Sequence, residues 1–200
     1  MPFAAGFSAF ARAENAPIII VALGDSLTAG YGLGPGDGFV PQLQAALTAR
    51  GHHVTIRNGG VSGDTSSGGL ARLDWAVGPE TQAVILELGA NDMLRGIAPD
   101  VTRANLTAII KRLQAQNIEV MLTGMLAAPN LGEAYGARFN PIYPQLAEQF
   151  ELVFYPFFLD GVAGQRELNL PDGIHPTAQG VGVIVDNILP SVERLLAQVK

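Results

Sequence analysis

The feature that most constrains the fold of this chain is a series of five short strand-like runs, separated by segments with helical periodicity. Most of the runs are continuous stretches of β-branched and other apolar residues, which is typical of strands buried on both faces of a parallel sheet. They lie at residues 16–23, 54–58, 83–88, 118–123 and 152–154. Since parallel strands need long crossover connections, this alternation predicts an α/β protein, a three-layer α/β/α sandwich with a five-stranded parallel sheet, flavodoxin-like in plan.

Helices are predicted wherever apolar residues repeat on one face of a helical wheel. They lie at residues 37–50, 64–76, 99–116, about 134–149, and from near Pro176 towards the end of the chain. In the third of these, Leu106, Ile109 and Leu113 share a face, which predicts that this face is buried against the sheet. In the last, Pro190 predicts a kink because proline cannot donate a helical hydrogen bond.

The composition narrows the class of protein. A chain of 200 residues with 48% hydrophobic and 15% charged residues suits a single packed domain, which we assign to residues 14–200. The net charge of −6 provides no basic stripe, so nucleic acids and anionic membranes are not expected partners. No run approaches the ~18 apolar residues of a membrane span. The absence of cysteine excludes disulfides, thiolate metal sites and cysteine nucleophiles.

The first residues carry a signal about location. Residues 1–13 are small and apolar, and Ala11-Arg12-Ala13 fits the small-x-small pattern that precedes a signal cleavage point, although the usual charged region before it is absent. We interpret residues 1–13 as the remnant of an export signal, which predicts a periplasmic or secreted protein. The alternative is an N-terminal arm, and in that case a cytoplasmic location stays open.

Chemically useful side chains follow several of the predicted strands. The carboxyl ends of parallel strands meet at one edge of a sheet, where ligands bind in folds of this class. The segments concerned are Gly24-Asp25-Ser26-Leu27, residues 58–65, Gly89-x-Asn91-Asp92 and, before the last helix, Asp172-x-x-His175. Together they offer a serine hydroxyl, backbone N–H groups, an amide and an imidazole with a nearby acid. These are the parts of an acyl-transfer site.

These four segments resemble the motif blocks of the SGNH, or GDSL, hydrolase superfamily, with Gly63 in the glycine position. The strings Ser62–Ser66 and Gly69–Leu73 look like those of the bacterial acyl-CoA thioesterase I, arylesterase and lysophospholipase group. The resemblance runs from about Pro17 to the C-terminus. The serine follows the first strand and lacks a Gly-x-Ser-x-Gly elbow, which favours this superfamily over the α/β-hydrolases.

The resemblance implies a role for each of five residues. Ser26 would be the nucleophile, and Asp172 and His175 would complete a catalytic triad. The N–H groups of Ser26 and Gly63 and the Asn91 side-chain amide would form the oxyanion hole. The implied reaction is hydrolysis of small-molecule carboxylic esters or thioesters through an acyl-enzyme, with no metal and no organic cofactor. A serine hydroxyl needs a neutral imidazole to take its proton, and the imidazole needs an acid to fix its tautomer, so the chemistry agrees.

Other polar residues near these motifs have simpler interpretations. Gly59 and Gly60 are the nearest alternatives to Gly63 as oxyanion donors. Three acids, Asp25, Asp64 and Asp92, are expected to order loops or cap helices. His52 and His53 precede a strand rather than follow one, so we expect them on the surface, away from the site.

The substrate is indicated only by apolar residues after the third and fourth strands. In the resembled group these loops line the acyl groove, which assigns substrate contacts to Leu94, Met125, Leu126, Ala127 and Leu131. Equally, they could simply cover the core. An apolar groove favours acyl or aryl esters and thioesters, including acyl-CoA and lysophospholipid, over acetylated sugars. Leu126 stands where the resembled group can carry an arginine, and this departure bears on recognition of a charged carrier.

Two other functions fit the predicted fold. A carbohydrate O-acetylesterase would use the same catalytic residues. A nucleotide- or phosphate-binding module would use the glycine-bounded turn after the first strand. That turn lacks the Gly-x-x-x-x-Gly-Lys and Gly-x-Gly-x-x-Gly patterns, and no lysine or arginine lies near it.

Overall fold

The computed structural model describes residues 16–199, so the predicted export signal lies outside the described residues. Five strands form the sheet of this part of the chain: β1 (Ile18–Gly24), β2 (Val54–Gly60), β3 (Ala83–Glu87), β4 (Glu119–Thr123) and β5 (Val153–Tyr155). Its α-helices are α1 (Ser26–Ala29), α2 (Phe39–Ala49), α3 (Ser66–Ala71), α4 (Leu73–Ala76), α5 (Ala90–Leu94), α6 (Pro99–Gln114), α7 (Glu133–Phe139), α8 (Ile142–Gln149) and α9 (Ala178–Gln198). Short 3₁₀ turns cover Pro129–Leu131 and Arg166–Leu168.

All neighbouring strands of the sheet run parallel, in the order β2-β1-β3-β4-β5. The predicted five-stranded parallel sheet is therefore confirmed. From β1 the chain moves to one side to form β2, and it then returns to the other side to form β3, β4 and β5. The connections after β1 and β3 thus diverge, which opens a crevice at the carboxyl ends of these two strands.

Helices cover both faces of the sheet. On one face α2 packs against α9, and on the other α3 and α8 pack against α6. The predicted apolar stripe of α6 is buried, with Leu106, Ile109 and Leu113 fully inaccessible. Pro99 occupies the first turn of this helix, where its missing N–H is harmless.

Two predicted helices are each broken into two. The prediction of one helix over residues 64–76 is wrong: α3 starts after the capping residue Thr65, and the backbone leaves helical geometry at Arg72. The Arg72 side chain bonds the Asp64 carboxylate and the Gly24 carbonyl, so tertiary contacts occupy this position. The prediction of one helix over residues 134–149 is also wrong. Pro141 caps α8, and its ring nitrogen cannot donate the bond that would join α7 to α8.

The last helix, α9, continues through Pro190 as one element from Ala178 to Gln198. Pro190 lies on its exposed side, where a missing hydrogen bond can be replaced by solvent. Across residues 16–199, no helix combines the length and the hydropathy that crossing a membrane would require.

Candidate active site

Ser26 is presented by a tight turn at the carboxyl end of β1. The Asp25 side chain accepts a hydrogen bond from the Leu27 N–H and caps α1, so Ser26 is the first residue of this short helix. A side chain at Gly24 would overlap Thr28 and Glu87, which is why the turn requires glycine there. Ser26 is half-buried at the mouth of a cavity.

His175 is held by the loop that precedes α9. Asp172 Oδ1 accepts hydrogen bonds from the N–H groups of Ile174 and His175, both at 3.0 Å, and so closes the loop on itself. The second oxygen, Oδ2, lies 2.7 Å from His175 Nδ1. The Tyr31 ring packs against the imidazole, with ring centroids 4.5 Å apart. These contacts fix the orientation of the imidazole before any substrate binds.

The imidazole connects the two ends of the site. His175 Nε2 lies 2.9 Å from Ser26 Oγ, although the two residues are 149 positions apart. The Ile174 N–H and the hydrogen bond with His175 lower the pKa of Asp172 to about 2. An ionised Asp172 accepts the Nδ1–H of His175 and leaves Nε2 free to accept the serine proton. The predicted serine, histidine and aspartate are therefore brought together in hydrogen-bonding order.

Ser26, Gly63 and Asn91, each of which carries an N–H donor, line the same cavity. Gly63 has φ of +85°, a left-handed conformation that favours glycine. In the part of the chain that the structure describes, the backbone N–H groups of Ser26 and Gly63 donate to no acceptor. Asn91 Nδ2 donates one hydrogen to Asp25 Oδ2 at 2.9 Å, which leaves its second hydrogen available. The arrangement can stabilise a negatively charged oxygen at the mouth of the cavity.

The alternative donors Gly59 and Gly60 are placed elsewhere. Both belong to β2 and pair with β1, and the Gly60 N–H is used by Asn58 Oδ1. Neither lines the cavity. The structure therefore brings Gly63, rather than Gly59 or Gly60, to Ser26.

The remaining acids and histidines take the expected supporting positions. Asp92 is fully buried and accepts hydrogen bonds from Ser66 and Thr102, which ties α3 and α6 to α5. Asp64 pairs with Arg72. His52 contacts Glu193 at the opposite edge of the sheet, next to the exposed His53.

An apolar cavity of about 650 Å³ opens beside Ser26 and His175. Four of the five predicted substrate contacts line it: Leu94, Met125, Leu126 and Ala127. The structure differs at Leu131, which ends the 3₁₀ turn after β4 and packs against the core instead of the cavity.

One wall of the cavity, formed by the loop after β5, is not predicted from the sequence. Phe157, Leu159 and Ala163 from this loop line the cavity, together with Ile174 from the His175 loop. The sequence does contain an indication of this wall, because these apolar residues also follow the carboxyl end of a predicted strand. β5 ends at Tyr155, one residue beyond its predicted end, and the loop that carries these residues follows it directly.

Comparisons with known proteins agree with this geometry. A model of the GDSL-like lipase/acylhydrolase family matches residues 22–183. The chain is 38% identical to Esterase TesA of Pseudomonas aeruginosa over 178 residues, which span 88% of this chain and 89% of that protein. It is 33% identical to Thioesterase 1/protease 1/lysophospholipase L1 of Escherichia coli K12 over 186 residues, 92% of this chain and 88% of that protein.

A solved structure extends the likeness to three dimensions. The crystal structure of the psychrotrophic esterase EstA from Pseudoalteromonas sp., inhibited by monoethylphosphonate, matches with a TM-score of 0.84 and 35% sequence identity. The match covers 90% of this chain and 99% of that one. These relatives are named for the hydrolysis of esters and thioesters, and nothing in the comparisons favours a nucleotide-binding module. The chain therefore belongs to the GDSL-like lipase/acylhydrolase family and is an ester or thioester hydrolase.

Proposed function

We propose that Ser26, His175 and Asp172 form the catalytic triad of this hydrolase. The observation that carries the proposal is the 2.9 Å contact between Ser26 Oγ and His175 Nε2, backed by the 2.7 Å contact between His175 Nδ1 and Asp172. His175 takes the proton of Ser26 as its oxygen attacks the carbonyl carbon, and then gives that proton to the leaving alcohol or thiol. Water hydrolyses the acyl-enzyme in the second half, again with His175 as base.

The oxyanion of each tetrahedral intermediate is stabilised by the N–H groups of Ser26 and Gly63 and by Asn91 Nδ2. Support comes from the common place of the three residues in the cavity lining and from a hydrogen on each donor that no acceptor within residues 16–199 takes. Because these donors are held in place before charge develops, each contributes about 3 kcal/mol to stabilisation of the transition state.

The substrates are acyl or aryl esters and thioesters whose acyl part enters the apolar cavity. Its volume lies within the usual range for small-molecule sites. Within residues 16–199 the lining includes no lysine or arginine, so it offers no ion pair to an anionic part of the substrate. A sugar acetate would leave several hydroxyls without partners against Leu94, Met125 and Phe157, which disfavours a carbohydrate O-acetylesterase.

A substrate panel tests this assignment. It compares kcat/KM for aryl esters of increasing acyl length, acyl-CoA thioesters, lysophospholipid and acetylated sugars. We expect aryl esters with acyl chains longer than acetyl to be preferred, because added methylenes bury apolar surface in the cavity. A preference for acetylated sugars would instead identify a carbohydrate O-acetylesterase.

The pH dependence of hydrolysis is a second expected result. The base must be neutral to accept the serine proton, so kcat/KM should fall as the pH is lowered from about 9 to about 5. Asp172, with a pKa of about 2, remains ionised over this range and adds no step of its own. Initial rates at low substrate concentration from about pH 5 to about pH 9 measure the profile. A flat profile would exclude an imidazole as the base.

We further propose that the protein is exported to the periplasm or secreted. The support is the small, apolar character of residues 1–13 and the small-x-small pattern at Ala11-Arg12-Ala13. Cell fractionation with mass analysis of the N-terminus tests this. Cleavage after Ala13 is expected, and an intact N-terminus on cytoplasmic protein would contradict it.

A further inference from the structure

A buried carboxyl group lies directly beneath the turn that carries Ser26. It belongs to Glu87, the last residue of β3, which is 1% exposed. Its Oε2 accepts a hydrogen bond from the Asp25 N–H at 3.2 Å and another from Thr28 Oγ1 at 2.9 Å. The two donors stand on either side of Ser26, so one oxygen of Glu87 anchors both sides of the turn.

The other oxygen of Glu87 is in a very different position. In residues 16–199, Oε1 is buried and has no hydrogen-bond partner. Such an oxygen is far more costly to bury on a carboxylate than on a neutral acid. Burial raises the pKa of Glu87 well above the ordinary value of 4.5, and the nearby Asp25 carboxylate raises it further. Both effects favour the neutral, protonated form of Glu87 over the carboxylate.

Asp25 is buried beside Glu87, but each of its two oxygens has a hydrogen-bond donor. Its Oδ1 accepts from the Leu27 N–H at 3.0 Å, and its Oδ2 accepts from Asn91 Nδ2 at 2.9 Å. Two neighbouring buried carboxyls do not both ionise, because their charges repel at close range. The proton therefore stays on Glu87, whose Oε1 has no donor within residues 16–199, and the negative charge stays on Asp25, where both oxygens have one.

We propose that Glu87 is a positioning residue that anchors the Ser26 turn as a neutral acid, keeps the charge on Asp25, and thereby orients the Asn91 amide of the oxyanion hole. The inference rests on the oxyanion role proposed above for Asn91. The amide nitrogen has two hydrogens. When Asp25 accepts one of them, the amide plane is fixed and the other hydrogen is left for the substrate oxygen.

Ionisation of Glu87 would disturb this arrangement. The titratable or charged groups around it are Asp25 on the β1–α1 turn, Tyr143 on α8, Asp92 on α5, Arg72 at the Gly24 carbonyl, and His175 across the site. Among the described residues, none of these side chains donates a hydrogen bond to Glu87. A second negative charge beside Asp25 would therefore be uncompensated, and we expect kcat to fall as pH rises through the pKa of Glu87.

Two variants of Glu87 and one matched control test the proposal. kcat and KM for an aryl ester are measured from about pH 5 to about pH 10. We expect Glu87→Leu, which removes the acceptor for both sides of the turn, to lower kcat by about 10–100-fold with KM nearly unchanged. Glu87→Gln keeps an acceptor for the turn and cannot ionise. Near neutral pH its kcat should therefore be close to that of the wild type, and its kcat should not decline at alkaline pH. The control Thr123→Val removes a buried hydrogen bond to the Leu86 carbonyl and should leave the kcat profile unchanged.

Two readouts do not depend on activity. The unfolded chain releases the Glu87 proton near pH 4.5, whereas the folded protein keeps it to higher pH. The folded state is therefore favoured by this group at low pH, and the advantage is lost as pH rises. The wild type should therefore lose stability relative to Glu87→Gln as the pH rises. The difference in unfolding free energy between the two proteins should shift in favour of Glu87→Gln. Infrared difference spectra should show a neutral carboxylic acid that disappears in Glu87→Gln.

Either of two results would overturn the inference. One is a folded Glu87→Leu protein with wild-type kcat, and the other is a Glu87→Gln variant with the wild-type alkaline decline and no infrared difference. Full activity in Ser26→Ala would instead contradict the proposed function, while the infrared and unfolding results would still report on Glu87. The two failures are therefore distinguishable.

Discussion

Replacing Ser26 by alanine is expected to lower kcat for ester hydrolysis by on the order of 10⁶, with the protein still folded. The substitution removes the only group that His175 Nε2 contacts in the Ser26 turn, so no acyl-enzyme can form. The residual rate would come from the oxyanion donors and substrate binding alone. Substrate affinity should change little, because the apolar cavity wall is untouched.

Mass spectrometry after reaction with a fluorophosphonate probe makes this test direct. The wild type should carry one adduct on Ser26, and Ser26→Ala should carry none. Ser67→Ala is the matched control, since Ser67 is an exposed serine of α3 outside the site. A Ser26→Ala protein with activity near that of the wild type, or an adduct on another residue, would remove Ser26 from its proposed role.

The second large effect is expected for Asp172→Asn, which should lower kcat by on the order of 10⁴. The asparagine oxygen can still accept from the N–H groups of Ile174 and His175, so the loop should keep its shape. The amide NH2 group of the asparagine would then point at His175 Nδ1 and donate a hydrogen bond to it. The imidazole would adopt the tautomer that carries its hydrogen on Nε2, and that nitrogen could no longer accept the Ser26 proton.

The matched control for this substitution is Asp100→Asn, which breaks an exposed ion pair with Arg138 far from the chemistry. It should leave kcat unchanged, since exposed pairs contribute at most about 1 kcal/mol to stability. NMR of the imidazole nitrogens would report the tautomer directly. An Asp172→Asn enzyme with wild-type kcat would show that His175 needs no acid partner.

The fold could be predicted from the sequence because its strands are continuous apolar runs with clear ends. Element boundaries were less accessible where tertiary contacts decide them. Nothing local to residues 64–76 indicates that Arg72 reaches back to the Gly24 carbonyl, which comes from another strand. The break before α8 was accessible, since Pro141 is visible in the sequence and cannot continue a helix.

The residues of the site likewise fall into those that could be predicted from the sequence and those that depend on tertiary contacts. Motif residues such as Ser26 and Asn91 lie at strand ends and could be placed by topology alone. Glu87 received no role because a single acid at the end of an apolar strand gives no indication of what lies above it. Its meaning depends on Asp25 and Thr28, which only the packed structure brings to its Oε2. Leu131 shows the opposite case, because it is close in sequence to lining residues but lies outside the cavity lining and packs against the core.

The contact between Ser26 and His175 also has a consequence for how the enzyme is made. A ribosome releases the serine early and the imidazole late, since 149 positions separate them. With the proposed triad, a nascent chain that lacks His175 should be hydrolytically inert, and activity should require the segment before α9 to dock. Premature termination or proteolytic clipping near that segment is therefore expected to yield an inactive protein. Recovery of turnover during refolding accordingly reports that the whole chain is assembled.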